Sequence, residues 1–173
     1  MRVIHLVLGV AMLLCVTGVT LAQENRRVIV GRYHNPAEGF SVGVPRGLKG
    51  IAGDQAGPER GAAIPLRGDR KIVVYGEPNS LDWKDAAQAL RSAIVDEGSN
   101  LSTSGVSTVR LGPLAASRAI LKSRNRSLEI TVAFRPGGGP VYWARLESDP
   151  RHFPHDHKVF MRVIRSFRIE AWK

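Results

Sequence analysis

The stretch from residue 106 to residue 147 constrains the fold most, because very short connectors join four apolar segments there. The segments are Val106–Leu111, Ala115–Lys122, Ser127–Arg135 and Val141–Glu147. Connectors such as Gly112-Pro113 and Pro136–Pro140 can only reverse the chain, whereas a parallel crossover needs about a dozen residues or more. The sequence therefore predicts an antiparallel meander.

The third of these segments has the clearest strand pattern. Apolar Leu128, Ile130, Val132 and Phe134 alternate with Glu129, Thr131, Ala133 and Arg135. Because successive side chains of a strand point to opposite faces of the sheet, the pattern predicts one buried face and one more polar face.

The N-terminal part of the chain predicts further strands. They are Val28–Tyr33, Phe40–Val44, Ala62–Arg67 and Lys71–Tyr75. Pro45–Gly61 is rich in glycine and proline, which predicts a long surface loop.

Two segments have helical periodicity. Leu81–Glu97 has an apolar face, with Asn79 or Ser80 in position to cap it and Gly98 in position to end it. Pro154–Phe167 places apolar residues on one side and basic residues on the other. No internal repeat or linker separates two cores, so we expect one α+β domain over residues 23–173, with an antiparallel sheet sandwiched by helices.

The first 22 residues have the composition of an export signal. Met1–Ala22 carries Arg2 near its start, then a long uncharged apolar run, and small residues at Thr20 and Ala22. We expect cleavage after Ala22 and no transmembrane segment afterwards, with a retained membrane anchor as the alternative. Cys15 lies in this signal, so the mature chain has no thiol for a disulfide or a thiolate metal site.

The charge of the chain limits the class of its partner. The sequence carries a formal net charge of +10, and cleavage after Ala22 would remove Arg2 and leave +9. An exported cationic protein meets acidic protein faces or an anionic envelope surface rather than nucleic acid. We therefore expect a periplasmic or secreted monomer of bacterial origin that binds an acidic protein or envelope component.

Two motifs resemble a known family. Tyr33-His34-Asn35 leads into Gly39–Val42 and Val44-Pro45 near the start of the mature chain, and Val163–Ile169 lies near its end. This arrangement resembles the PsbP-like superfamily, which includes extrinsic photosystem II proteins, a Ran-binding nuclear factor and many exported bacterial proteins. The resemblance implies a PsbP-like α/β/α sandwich that acts as a binding or assembly module. It transfers no catalytic residues to this chain.

The last predicted helix carries the candidate binding residues. Lys158, Arg162 and Arg165, with Arg151 just before them, form a basic stripe that suits an acidic partner or anionic headgroups. The alternative is a solvated helix face without a partner.

The segment before this helix holds a histidine cluster. His152, His155 and His157 lie within six residues, together with Asp156, and neutral imidazoles suit Zn²⁺ or Cu²⁺. The spacing matches no established zinc motif. The alternative is that Asp149 or Asp156 serves the start of the helix while the histidines are solvated.

Motifs for enzyme chemistry are missing from the sequence. It has no Gly-x-Ser-x-Gly elbow, no His-Glu-x-x-His helix and no phosphate-binding glycine-rich loop. A dispersed pair such as Glu129 and Glu147 on neighbouring strands is the remaining candidate for acid and base catalysis.

The leading hypothesis is an exported, non-enzymatic binding module without a cofactor, which uses the basic stripe and the Pro45–Gly61 loop. The alternative hypothesis is a metal-binding or hydrolytic envelope protein that uses the His152–His157 cluster.

Overall fold

The computed structural model describes residues 27–53, 61–98 and 100–171. The expected export signal, Cys15 and the expected cleavage site after Ala22 lie outside these residues. The described strands are β1 Arg27–Ile29, β2 Arg32–Asn35, β3 Phe40–Gly43, β4 Gly50–Ala52, β5 Ala62–Pro65, β6 Lys71–Glu77, β7 Ser102–Thr103, β8 Ser107–Leu111, β9 Leu114–Lys122, β10 Ser127–Phe134, β11 Val141–Ser148 and β12 Arg168–Ile169. The helices are α1 Ala86–Asp96 and α2 Phe153–Ser166.

These strands form two antiparallel sheets. The large sheet has the order β1-β4-β5-β6-β11-β10-β9-β7, with β8 also paired to β9, and the small sheet has the order β12-β3-β2. The predicted meander is confirmed, because β8, β9, β10 and β11 pair with their chain neighbours. In its described ranges the protein is mostly antiparallel β-sheet with two helices, as expected for an α+β domain.

The first predicted strand, Val28–Tyr33, is wrong as one element. Strand β1 ends at Ile29, and Gly31 adopts a φ of +80°, a backbone conformation that favours glycine. As a result β1 pairs with β4 in the large sheet, while β2 pairs with β3 in the small one. Local β-propensity did not show this change of sheet.

The predicted Pro45–Gly61 loop is also corrected in part. Gly50–Ala52 forms β4, which pairs with β1 on one side and β5 on the other. Gly50 is buried, and its neighbours are so close that an added Cβ would lie 3.2 Å from a Val44 methyl carbon. Pairing on both edges outweighs the low strand propensity of glycine here. Residues 54–60 of the expected loop lie outside the described residues.

Helix α1 begins later than predicted. Asp85 is its N-cap, and the Asp85 carboxylate accepts a 2.7 Å hydrogen bond from the Gln88 backbone N–H. The side chain of Asn79 instead bonds both the N–H and the C=O of Trp83, which holds the preceding residues in a turn. Gly98 follows the helix with a φ of +92°, as the sequence indicated.

Helix α2 ends at Ser166, close to its predicted end. Phe167 is buried and stacks on Phe40, with ring centroids 5.3 Å apart. The chain then continues as β12, which pairs with β3 and was missed from the sequence. The end of α2 is therefore fixed to the small sheet.

The core has two clusters of buried side chains. One contains Val159 and Phe160 of α2 together with Leu146 of β11. The other contains Leu90 of α1 together with Ile130 and Val132 of β10. No helix in the described ranges combines the length and the apolar character that a membrane span requires.

The face of β10 that was expected to be more polar and less buried is buried in the structure. Glu129, Thr131 and Ala133 are all fully buried, as are Ile130 and Val132 on the other side of the strand. Strand β10 lies between β9 and β11, and core side chains pack on both of its faces. Neither face is therefore exposed to solvent, although polar and apolar residues alternate along the strand.

The buried Glu129 connects β10 to α2. One carboxylate oxygen of Glu129 lies 2.6 Å from Nδ1 of His157, and the other lies 3.7 Å from Arg118 Nη1 without a hydrogen bond. Burial raises the pKa of the Glu129 carboxyl, and the opposing effects of His157 and Arg118 are smaller. The folded protein therefore binds the Glu129 proton more tightly than the unfolded chain does.

This raised pKa predicts a pH-dependent stability difference for Glu129→Gln. Wild-type stability from this group is highest below the ordinary Glu pKa of 4.5 and falls as pH rises towards the raised folded pKa. Glutamine does not titrate, so the free energy of unfolding of Glu129→Gln relative to wild type should rise through that interval and then level off. Urea denaturation at a series of pH values measures it. A difference that does not change with pH would contradict the shift.

The close approach of Gly112 to the end of α2 gives a second prediction. Gly112 has a φ of +55°, and a Cβ there would collide with the carbonyl oxygen of Phe167. We expect Gly112→Ala to lower the free energy of unfolding by about 3 kcal/mol, from backbone strain and steric overlap together.

The matched control is Gly105→Ala. Gly105 has a φ of +80°, but no heavy atom would lie within 4 Å of an added Cβ. This variant should lose only the backbone contribution, about 1 kcal/mol. Equal losses in the two variants, measured by urea denaturation, would show that the contact with Phe167 is unimportant.

Candidate functional site

The basic residues of α2 lie on its outer side because its apolar side is in the core. Val159, Phe160, Val163 and Ile164 are buried. Lys158, Arg162 and Arg165 are exposed, and spacings of four and three residues align them along one side of the helix. Arg151 is also exposed, in the turn before α2. We call Arg151, Lys158, Arg162 and Arg165 the basic face.

The charges of the basic face are not neutralised within the described part of the chain. None of its four side chains makes an ion pair with a described residue, whereas Arg70, Arg126 and Arg145 all pair with carboxylates. The basic stripe expected from the sequence is therefore present as an exposed row of charges.

The turn before α2 is fixed by Asp149. Its carboxylate accepts hydrogen bonds from the backbone N–H groups of Arg151 and His152, at 3.0 and 3.1 Å, and lies 2.8 Å from the His152 imidazole. Partial desolvation raises the pKa of the Asp149 carboxyl, but the bonds from His152 and Arg151 outweigh it and the pKa is lowered. Asp149 therefore fixes the turn before α2, whereas the N-cap residue of α2, His152, has no side-chain cap hydrogen bond.

Asp156 lies in the first turn of α2, where it was expected to serve the start of the helix, and it also forms a buried ion pair. It is 2% exposed and accepts hydrogen bonds from Arg70 Nη1 and from the Ser148 hydroxyl, both at 2.7 Å. This buried ion pair joins α2 to the β5–β6 turn. Asp156 is therefore a structural residue, held away from solvent and from an incoming metal ion.

The three histidines are not arranged as a metal site. His152 lies against Asp149, and His157 lies against Glu129 and stacks on Phe153. His155 is exposed. Among the described residues, no three or more His, Cys, Asp or Glu side chains are grouped so that they could hold a metal ion. The geometry therefore gives the metal hypothesis no support.

The candidate acid and base pair is also separated by the strand register. Glu129 is opposite Leu146, while Glu147 is opposite Leu128. Because neighbouring positions of a strand alternate between the faces of a sheet, Glu129 and Glu147 extend from opposite faces. Glu147 instead pairs with Lys71 and Arg126, at 3.6 Å each. The two carboxylates cannot act on one substrate.

A cleft that sequence reasoning missed lies between β6, β11 and the α1 region. It has a volume of about 300 Å³ and is lined by Tyr75, Trp83 and Trp143, with Glu77 and Arg145 among its polar residues. The register places Trp143 directly opposite Tyr75. Only the pairing of β6 with β11 shows this neighbourhood, since the strands lie far apart in the sequence.

Comparison with known proteins gives information on the fold alone. No protein-family model matches the chain, and no curated protein sequence matches it significantly. Among solved structures, the chain is similar to cyanobacterial PsbP (CyanoP) from Synechocystis sp. PCC 6803, with 14% sequence identity and a TM-score of 0.53. The similarity covers 82% of this chain and 92% of CyanoP.

A second solved structure, from Bacteroides thetaiotaomicron VPI-5482, is more distant. It has 10% identity and a TM-score of 0.42, over 82% of this chain and 49% of that one. The similarity to CyanoP spans most of both chains, so the expectation from the Tyr33–Pro45 and Val163–Ile169 motifs is confirmed for the fold. This chain has a PsbP-like fold.

Proposed function

We propose that this protein is an exported, non-enzymatic binding module that docks through the basic face of α2 on an acidic protein surface. The main supporting observation is that Lys158, Arg162 and Arg165 are exposed, aligned and without ion pairs to described residues. A row of positive charges on one helix face speeds the encounter with a negatively charged surface. The same charges repel basic partners.

The rigidity of α2 also supports docking. Its inner side packs in the core, and its first turns are held by the Asp156–Arg70 and His157–Glu129 contacts. The backbone that carries the basic face is therefore already ordered before a partner arrives. Binding therefore costs less conformational entropy than it would if a flexible segment had to become ordered.

The distribution of apolar residues favours an acidic protein over insertion into a membrane. The large apolar side chains of the described residues that are most exposed are Val28, Val30, Leu81, Val95 and Val106, and none of them is on α2. A helix that binds lipid inserts its apolar side into the bilayer, but α2 uses its apolar side for the core. Adsorption to anionic headgroups by charge alone is left as the alternative.

Export is part of the proposal and depends on the sequence. The apolar segment Met1–Ala22 and the net charge of +10 favour a periplasmic or secreted protein that meets anionic envelope components.

We also infer a PsbP-like α/β/α arrangement, in which α1 and α2 cover opposite faces of the large sheet. The division of alternate β10 residues between two core clusters supports it, since Ile130 packs with α1 residues and Ala133 belongs to the cluster of α2.

The docking proposal predicts a loss of polyanion binding on charge reversal. The triple variant Lys158→Glu, Arg162→Glu, Arg165→Glu should bind an acidic polypeptide, immobilised polyglutamate, at least about tenfold more weakly than wild type, given up to about 1 kcal/mol for each exposed pair. Biosensor titration at several salt concentrations measures the affinity. Wild-type affinity should fall steeply with added salt, because exposed charges are screened.

The matched control reverses three exposed cations elsewhere: Lys84, Arg91 and Arg124. It changes the net charge by the same amount but leaves the basic face intact, so it should keep most of the affinity. Equal losses in both triple variants would show that only net charge matters and would contradict a docking face. Binding to phosphatidylglycerol vesicles with none to polyglutamate would favour the membrane surface instead.

A further inference from the structure

The cleft between β6, β11 and the α1 region contains three aromatic rings, of which Trp143 contacts the other two. Tyr75 and Trp143 stack with ring centroids 6.2 Å apart, and Trp83 meets Trp143 edge to face at 5.8 Å. Tyr75 and Trp143 are about 95% buried, while Trp83 is partly exposed at the mouth of the α1 turn. A volume of about 300 Å³ is at the small end of the range for ligand pockets, which suits a small ligand.

The charges around these rings are predominantly negative. Glu77, Asp96 and Glu97 line the cleft together with Arg145. Glu97 is neutralised, since it pairs with both Arg145 and Arg126. Glu77 and Asp96 make no ion pair with a described residue. In a chain with a formal net charge of +10, this cleft therefore holds two uncompensated carboxyl groups.

Two groups of the cleft lining have raised pKa values, chiefly because they are buried. Burial raises the pKa of Tyr75 to about 12, and the Glu77 and Glu97 carboxylates contribute to the increase. Burial also raises the pKa of Glu77, more than the nearby Trp143 indole lowers it. A cation bound in the cleft would favour the ionised form of Glu77. Among the described lining residues, Arg145 is the one that carries a positive charge.

The carboxylate of Glu77 lies beside the indole of Trp143. Trp143 is 4% exposed, and the interaction of its indole with Glu77 lowers the pKa of that carboxyl group, against the larger effect of burial. A negative group is therefore held next to the aromatic rings, where it can face a cation bound against them.

We propose that this cleft binds a small organic cation, an ammonium group that carries methyl or methylene substituents. Trp83, Trp143 and Tyr75 supply the ring electrons that attract such a cation, and Glu77 and Asp96 supply the countercharge. A metal ion would gain nothing from the indole rings, and an anion would be repelled by the two carboxylates. A neutral apolar ligand would leave those carboxylates desolvated without compensation.

The test compares choline and tetramethylammonium with 3,3-dimethyl-1-butanol, the neutral carbon analogue of choline. Tryptophan fluorescence and calorimetric titration of the full-length protein measure binding. We expect saturable binding of both cations and about tenfold or weaker binding of the neutral alcohol, because cation–π attraction and the countercharge are then lost. Equal binding of choline and its neutral analogue would overturn the proposal, as would no binding of either cation at millimolar concentration.

Two variants locate the site. Trp83→Ala should weaken choline binding about tenfold by removing the partly exposed ring, and Glu77→Gln should weaken it several-fold by removing charge with little change of shape. Asp69→Asn, which removes an exposed carboxylate from the β5–β6 turn outside the cleft lining, is the matched control and should bind like wild type.

The triple reversal on the basic face should also leave choline binding unchanged, so the two proposals fail separately. Choline affinity that Glu77→Gln and Trp83→Ala leave unchanged would place the cation elsewhere and overturn the assignment.

Discussion

The burial of β10 on both sides is the constraint on which the rest of the structure depends. Ile130 packs with residues of α1, while Ala133 belongs to the cluster of α2, so both sides of the strand need cover. Glu129 is fully buried on this strand, and a buried carboxylate requires a partner. His157 of α2 supplies it at 2.6 Å. The rotation of α2 about its own axis is thereby tied to one residue of the central strand.

That rotation decides which residues of α2 meet solvent. Asp156 and His157 are on the side of α2 that faces the sheet. Asp156 pairs there with Arg70, and His157 pairs with Glu129. Lys158, Arg162 and Arg165 then extend outwards because they are on the remaining side of the helix. The same arrangement separates the histidines of the cluster, so the described residues bring no three metal-ligating side chains together there. Two of its members are committed to carboxylates that fix the helix and the turn before it.

The sequence predicted the features that depend on local physics. Short connectors determined the meander from β8 to β11, and helical periodicity placed the basic residues of α2 together. Features that depend on pairing between distant segments were missed. Gly50–Ala52 is a strand only because β1 and β5 lie beside it, and the Val28–Tyr33 prediction failed because its halves join different sheets. The aromatic cleft needs Tyr75 opposite Trp143, which no local pattern could reveal.

The two proposed binding surfaces carry opposite charge, and the elements that carry them pack in different core clusters. The basic face lies on α2, whereas Trp143 and Tyr75 of the cleft pack in the cluster of α1. A helix whose exposed cations form no ion pairs among the described residues suits a broad acidic surface. A cleft of about 300 Å³, in which two carboxyl groups have no ion pair within the same described ranges, suits a small cation. The two surfaces share no residue. Docking through the basic face would therefore not use residues of the cleft lining.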